Sequence, residues 1–203
     1  MGIGRFFQQD SSRRWVWKVI GLWLVNATYC ESTIRGKMMK KAAVSHVNVL
    51  QCNSIGFVKG PENGFRLELY DKYRDGLKNL EQFSHVQVIW WADRNDNDKG
   101  RECLVTELPY AKGEDAGVFA CRSEFRPNPV GITVCPILSV DQESGVVHLA
   151  YIDALDSTPI IDLKPYIPVS DRVRDVSVPH WFSKWPEWYE DAGKFFSEEF
   201  SEE

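Results

Sequence analysis

From Ala42 onward the chain alternates apolar and polar positions in short runs, each closed by a turn signal. Val44–Leu50 alternates, and Ile55–Val58 runs into the turn cluster Lys59–Gly64. Phe65–Tyr70 sets apolar against charged residues, as a strand with one buried face does. Asp71–Leu80 reads as a short helix: Asp71 suits the N-cap, and Tyr73, Leu77 and Leu80 recur at helical spacing. His85–Ala92 is the most apolar run and predicts a strand buried on both faces at its end. The polar loop Asp93–Gly100 breaks it. Further strands are predicted at Glu102–Leu108, Gly117–Ala120, Ile132–Val140, Val146–Ile152 and Pro159–Leu163, with Asp141–Gly145 as a hairpin connection. Many short strands with little helix predict a mainly β fold, a small antiparallel β-barrel with short helices.

After Pro168 the pattern changes. Trp181, Trp185 and Trp188 crowd one stretch, Pro186 suits a helix start, and Glu187–Phe196 reads as helical behind it. Such a tail suits a clamp over a barrel end or a partner subunit, with Glu198–Glu203 frayed beyond it. At 203 residues the chain suits one main domain with small appendages. The divisions expected are an amino-terminal extension over 1–41, a barrel over 42–170 and an aromatic, acidic tail over 171–203.

Charge divides along the same lines. Residues 1–41 carry eight Lys and Arg against Asp10 and Glu31, whereas the remaining 162 residues carry a net −11. Arg13-Arg14 ahead of Trp15–Val25 mimics a basic region followed by an apolar one. That run falls short of the roughly 20 apolar residues a membrane span needs, and Asn26–Cys30 is a poor cleavage site. No stable membrane insertion is expected. Met38-Met39-Lys40-Lys41 suits a natural start, so residues 1–37 read as an upstream extension. Five scattered cysteines without a CxxC pair or finger-like histidine spacing argue against a metal site and for reduced thiols in the cytoplasm.

Two stiff, charged stretches carry the candidate chemistry. The first, Arg122–Pro129, holds two guanidinium groups beside Pro127 and Pro129. Each proline fixes its own φ and pushes the preceding residue into extended conformation. Arg122 and Arg126 suit either pairing with nearby carboxylates or bidentate grip of an anionic ligand. The second, Asp153–Tyr166, gathers Asp153, Asp156, Asp162, Thr158 and Lys164 around Pro159 and Pro165. Its Asp156–Pro159 run fits ordinary turn chemistry. It equally fits carboxylates placed near a cationic ligand or an exchangeable proton.

Together these stretches resemble the TsaA-like, or tRNA methyltransferase O, family. The resemblance rests on Val118–Gly131 in the form VFAxRSxFRPNPxG and Asp153–Pro168 in the form DxxDxTPxxDxKPYxP. Ile55-Gly56 and Gly76–His85 also match in order, so it covers roughly Val49 to Asp171. It implies a non-Rossmann barrel that binds S-adenosyl-L-methionine near a homodimer interface, in agreement with the missing GxGxxG. The activity implied is methyl transfer to the N6 of a modified tRNA adenosine. Alternatively, the module binds the cofactor and acts on another acceptor, or transfers no methyl group. The implied cofactor contacts fall at Asp93, Arg94, Arg122, Ile132, Asp156, Ser157, Thr158 and Pro159. Asp156, Asp162 and Lys164 are the candidates for assisting proton removal from the acceptor. The chain departs from the family in having Asp93-Arg94 for histidine-glutamine and Ser157 for glycine, the latter compatible with cofactor binding if its φ is negative. It also lacks the family's long arginine- and proline-rich segments, and its acidic body is unlike a surface built for phosphates.

Overall fold

The structure, a computed structural model, describes residues 50–62 and 64–199. These fall into two compact units, 50–106 with 115–174, and 107–114 with 175–199. The eight strands among them are β1 (Gly56–Lys59), β2 (Phe65–Leu69), β3 (His85–Trp91), β4 (Val105–Glu107), β5 (Asp115–Gly117), β6 (Val130–Asp141), β7 (Val146–Leu149) and β8 (Pro159–Pro165). Three short α-helices accompany them: α1 (Asp98–Glu102), α2 (Pro168–Asp171) and α3 (Ala192–Glu199). Six strands close into an antiparallel barrel in the order β1-β2-β7-β6-β3-β8, and β4 pairs with β5 as a separate ribbon.

The period-two pattern fills the barrel. Val58, Leu67, Val86, Val88, Cys135, Val147 and Ile160 are fully buried, each flanked by more exposed neighbours. Each such aliphatic side chain contributes about 1.5–3 kcal/mol by leaving water. Closure needs β6 to serve two partners. Its first half pairs with β3 from Trp91↔Val130 to His85↔Pro136, and its second half pairs with β7. A register shift between Ile137 and Ser139 marks the change of partner, which is where a bulge bends a strand.

Six predicted strands lie where the pattern placed them, and the differences have physical reasons. Asp71–Leu80 is not one helix but two 3-10 segments, Asp71–Leu77 and Leu80–Gln82, parted by Asn79 at φ 67°. Tyr70 is the N-cap, and Asp71 instead bridges to Arg74 at 2.7 Å within the first turn. The break lets Leu77 and Leu80 both join the core. β3 is buried on one face only, because Gln87, Ile89 and Trp91 take the outer positions. Glu102 closes α1 and only Val105–Glu107 is strand, while Val118–Ala120 is a 3-10 turn. In the tail, Trp188 stays extended and delays the helix: a 3-10 turn at Tyr189–Asp191 leads into α3. The extension over 1–41, the Arg13–Val25 run, all of the Val44–Leu50 alternation but Leu50, and the last four residues lie outside the described residues.

In the second unit Tyr110 gathers the aromatic tail. Its ring lies 5.3 Å from both Phe182 and Trp185, and those two rings meet at 5.0 Å. His180 reaches Glu114 at 3.5 Å.

Candidate functional site

Three connections leave the barrel rim where β1, β3 and β7 end, after Lys59, Trp91 and Leu149. The barrel mouth there is polar. Thr133 takes an inward position on β6, accepts a hydrogen bond from Trp90 Nε1 at 3.1 Å and donates its hydroxyl to Asp153. Gly131 makes room for this relay, since a Cβ there would stand 2.3 Å from the Trp90 ring. Asp153 lies between Ile152 and Ala154, both in the core, so its carboxyl is drawn down with them. Burial raises its pKa, against the Thr133 hydrogen bond and the Arg122 charge. Cys135, further in, has its thiol pushed up by burial and by Asp153.

Glu124 stands beside this relay. Burial pushes its carboxyl up to about 7, helped by Asp153 and Asp93 and opposed by Arg94 and by the hydrogen bond that Asn95 donates. A carboxyl at that value exchanges its proton at neutral pH. The two arginines nearest these acids, Arg94 and Arg122, are exposed and make no hydrogen bond or ion pair with a described residue.

The surrounding loops are braced rather than loose. Asp96 accepts from Trp91 Nε1 at 2.9 Å and pairs with Arg101, which lowers its pKa. Arg101 also donates to the Pro127 carbonyl at 3.3 Å and lies over the Trp91 ring. Asn97 caps α1 by accepting from Gly100 N at 3.0 Å. The acidic 93–98 loop is therefore a bracket tying the end of β3 to the proline-rich segment. Arg126 is part of the same bracing: its guanidinium donates to the carbonyls of Val118 and Cys121. Of the two arginines in that stretch, only Arg122 is left for a ligand.

The Asp153–Pro159 connection ends in a second cluster. Asp156 accepts from Gly60 N at 3.3 Å, from the Ser157 hydroxyl at 2.8 Å, and meets Lys59 at 3.7 Å. The Ser157 and Gly60 hydrogen bonds lower its pKa, so it stays ionised. Ser157 has φ 68°, not the negative value expected for a serine there. The turn dictates it, because in this conformation the Ser157 N–H reaches the Val58 carbonyl at 2.8 Å. Thr158 is buried and Pro159 opens β8.

The remaining sequence candidates are elsewhere. Ile132 is 42% exposed, on the opposite face of β6 from Thr133. Asp162 and Lys164 lie on the outer face of β8, paired with each other at 2.7 Å. Asp162 raises the Lys164 pKa, so the amine stays charged and is no base at neutral pH. Asp93, Arg94 and Arg122 thus gather around Glu124 and Asp153. Asp156 and Ser157 gather against the β1–β2 turn, with Thr158 and Pro159 beside β1, while Ile132, Asp162 and Lys164 converge with neither group. Glu124, Asn95 and the Trp90–Thr133 pair were not singled out from the sequence. Glu124 stood inside a recognised motif, but its hydrogen-bond partner Asn95 lies 29 residues away along the chain.

A small closed antiparallel barrel with a polar mouth is the class these features define. The family model for the tRNA-methyltransferase O N-terminal domain matches residues 58–172, and the chain belongs to that family. A probable S-adenosyl-L-methionine-binding protein of Archaeoglobus fulgidus is 33% identical over 152 residues, 72% of this chain and 39% of that relative. The tRNA (adenine(37)-N6)-methyltransferase of Escherichia coli is 32% identical over 129 residues, 62% of this chain and 54% of that enzyme. A crystal structure of TrmO superposes with TM-score 0.51 at 27% identity, covering 66% of this chain and 62% of that one. The chain therefore spans from about two fifths to three fifths of the length of these relatives. Among the described residues no group of three or more His, Cys, Asp or Glu could hold a metal ion. No helix among them is long and apolar enough to cross a membrane.

Proposed function

We propose that this chain is an S-adenosyl-L-methionine-dependent methyltransferase whose cofactor binds at the polar mouth, with a tRNA adenosine N6 position as acceptor. The observation that carries this reading is the pairing of uncommitted Arg94 and Arg122 with the half-buried acids Glu124 and Asp153. The donor set suits the cofactor. A planar guanidinium takes a carboxylate in bidentate fashion, and carboxylates take an ammonium or sulfonium. When bound, the cofactor supplies a methyl group on a sulfonium, open to direct displacement by a nucleophile. The protein's own work is then positioning and electrostatics: Arg122 orients, and the braced loops hold the mouth in shape. Asp156 is the sequence candidate that lies on the rim; Asp162 and Lys164 are turned to the outer face.

Family membership and the names of the relatives support the activity. A homodimer acting in the cytoplasm belongs to the same proposal, with the exposed Val130, Ile132 and Leu138 of β6 as the contact face. Calorimetry with S-adenosyl-L-methionine tests the binding, and Arg122→Ala is expected to weaken it by about 1.5–3 kcal/mol. Transfer of a labelled methyl group to nucleosides of total tRNA tests the acceptor; absence of transfer to any RNA overturns it. A second reading, a binding module that transfers to another acceptor or to none, draws on the −11 charge of residues 42–203. It predicts tight binding with no labelled RNA. Light scattering distinguishes dimer from monomer.

A further inference from the structure

We propose that Thr133 is a positioning residue of the cofactor site, holding the Asp153 carboxylate for the ammonium group of S-adenosyl-L-methionine. This rests on the reading of the mouth as that cofactor's site. It goes beyond that reading by giving the ligand's amino group a partner and that partner a support.

Among the described residues, Thr133 and Thr158 are the buried polar side chains. Thr133 shares the inner face of β6 with Cys135, and Val88 of β3 stands opposite it. Valine has the same shape and brings no hydroxyl to satisfy, so packing alone does not call for threonine here. The hydroxyl has a fixed direction. An indole N–H can only donate, so Trp90 Nε1 takes a lone pair of Thr133 at 3.1 Å. The one Thr133 proton is left for Asp153, whose Oδ1 accepts it. Trp90 is itself buried and lies over Gly131, where a Cβ would stand 2.3 Å from its ring. Packing therefore holds the head of the chain, and two hydrogen bonds in series hold the carboxylate at its foot.

Trp90 does not need Asp153, because Thr133 already satisfies the indole. The carboxylate is the member of the relay that core packing leaves without a purpose. Arg122 acts on Asp153 by charge, and the two form no ion pair. A carboxylate and a guanidinium near one another and unpaired suit the two charges of an α-amino acid, its ammonium on Asp153 and its carboxylate on Arg122. The sulfonium has no N–H to donate, so a carboxylate aimed by hydrogen bonds serves the ammonium instead.

The experiment is titration calorimetry of the full chain with S-adenosyl-L-methionine, on the wild type, Thr133→Val, Thr133→Ser, Asp153→Asn and the Val–Asn double variant. Asp153→Asn keeps an oxygen for the Thr133 proton and loses the charge, and is expected to weaken binding about tenfold. Thr133→Val is expected to weaken it about five- to tenfold, and Thr133→Ser to stay within about threefold of the wild type. In the Asp153→Asn background, Thr133→Val should cost less than about twofold, because the carboxylate it positions is already gone. Equal losses in the two backgrounds make Thr133 a structural residue only and overturn the inference, as does wild-type affinity in Thr133→Val. Should that variant fail to fold, Asp153→Asn decides with a second ligand. S-adenosylhomocysteine keeps the ammonium and lacks the sulfonium charge, so its binding should fall by the same factor as that of S-adenosyl-L-methionine. A loss confined to S-adenosyl-L-methionine, or no loss with either, overturns the assignment while leaving the cofactor site standing. No binding of S-adenosyl-L-methionine by the wild type overturns the reading beneath it.

Discussion

At the base of the barrel, where β2 ends and β3 begins, two 3-10 segments press Leu77 and Leu80 into the core, 1% and 8% exposed. At the other end the corresponding layer is Trp90, Thr133 and Asp153, a hydrogen-bonded relay with Glu124 beside it. The base is closed by area removed from water; the mouth is closed by polar groups that satisfy one another, with two half-buried acids whose pKa values burial raises. A closed barrel gains nothing in stability from half-buried acids, since burial of an ionised carboxylate costs several kcal/mol. Hydrophobic residues at the mouth would serve folding better. The proposed ligand site at this end accounts for their absence.

The sharpest way to break this comparison is at the base. Leu77→Ala is expected to cost about 2–5 kcal/mol in chemical denaturation, as other buried leucine truncations do. Cofactor binding by the fraction that stays folded should be unchanged. Loss of binding in parallel with stability would mean that the two ends are coupled and the division is false.

At the mouth the matching measurement is pH. A carboxyl near 7 in the fold and near 4.5 unfolded binds more protons folded than unfolded between those values. Stability from this group is therefore complete below pH 4.5 and is lost as pH rises through 7. The expected loss between pH 5 and 8 is about 1–3 kcal/mol, and Glu124→Gln should flatten that part of the profile. A profile identical in wild type and variant would remove Glu124 from the account of the mouth.

Arg122 and Arg126 give the same comparison within one loop. Arg126 donates to the carbonyls of Val118 and Cys121, so Arg126→Ala takes that donor from both and leaves Val118 only the Cys121 thiol, at a cost of about 1–3 kcal/mol. Arg122→Ala should change stability by less than about 0.5 kcal/mol and act on ligand binding instead. Paired denaturation and calorimetry on the two variants read both effects, and equal stability losses would refute the assignment.

These two arginines also show what a sequence can carry. Alternation and turn chemistry placed the six barrel strands, because burial of one face leaves a period of two in the residues themselves. The charged proline-rich motif located the mouth. It could not say which arginine was spent on the loop, because that depends on which carbonyls fold back beneath Arg126. Glu124 was hidden for the same reason: its raised pKa follows from desolvation, which is set by what the fold packs around it. Isolated motifs report composition at a place, whereas titration reports its surroundings.

The smallest test concerns the second cluster on the rim. Ser157 at φ 68° occupies the left-handed region, where a Cβ costs roughly 1–2 kcal/mol and glycine does not. Against this, glycine loses more backbone freedom on folding and forfeits the hydroxyl bonds to Asp156 and Lys59. Those bonds are exposed, so their loss weighs little. Ser157→Gly is therefore expected to stabilise the chain by up to about 1 kcal/mol in thermal denaturation. The outcome separates two uses of the turn. If the variant is more stable and binds the cofactor as before, the serine is only a strained substitute for glycine. If it is more stable but binds less well, the strain at Ser157 is kept because its hydroxyl positions Asp156, and this part of the rim joins the mouth as ligand-binding surface.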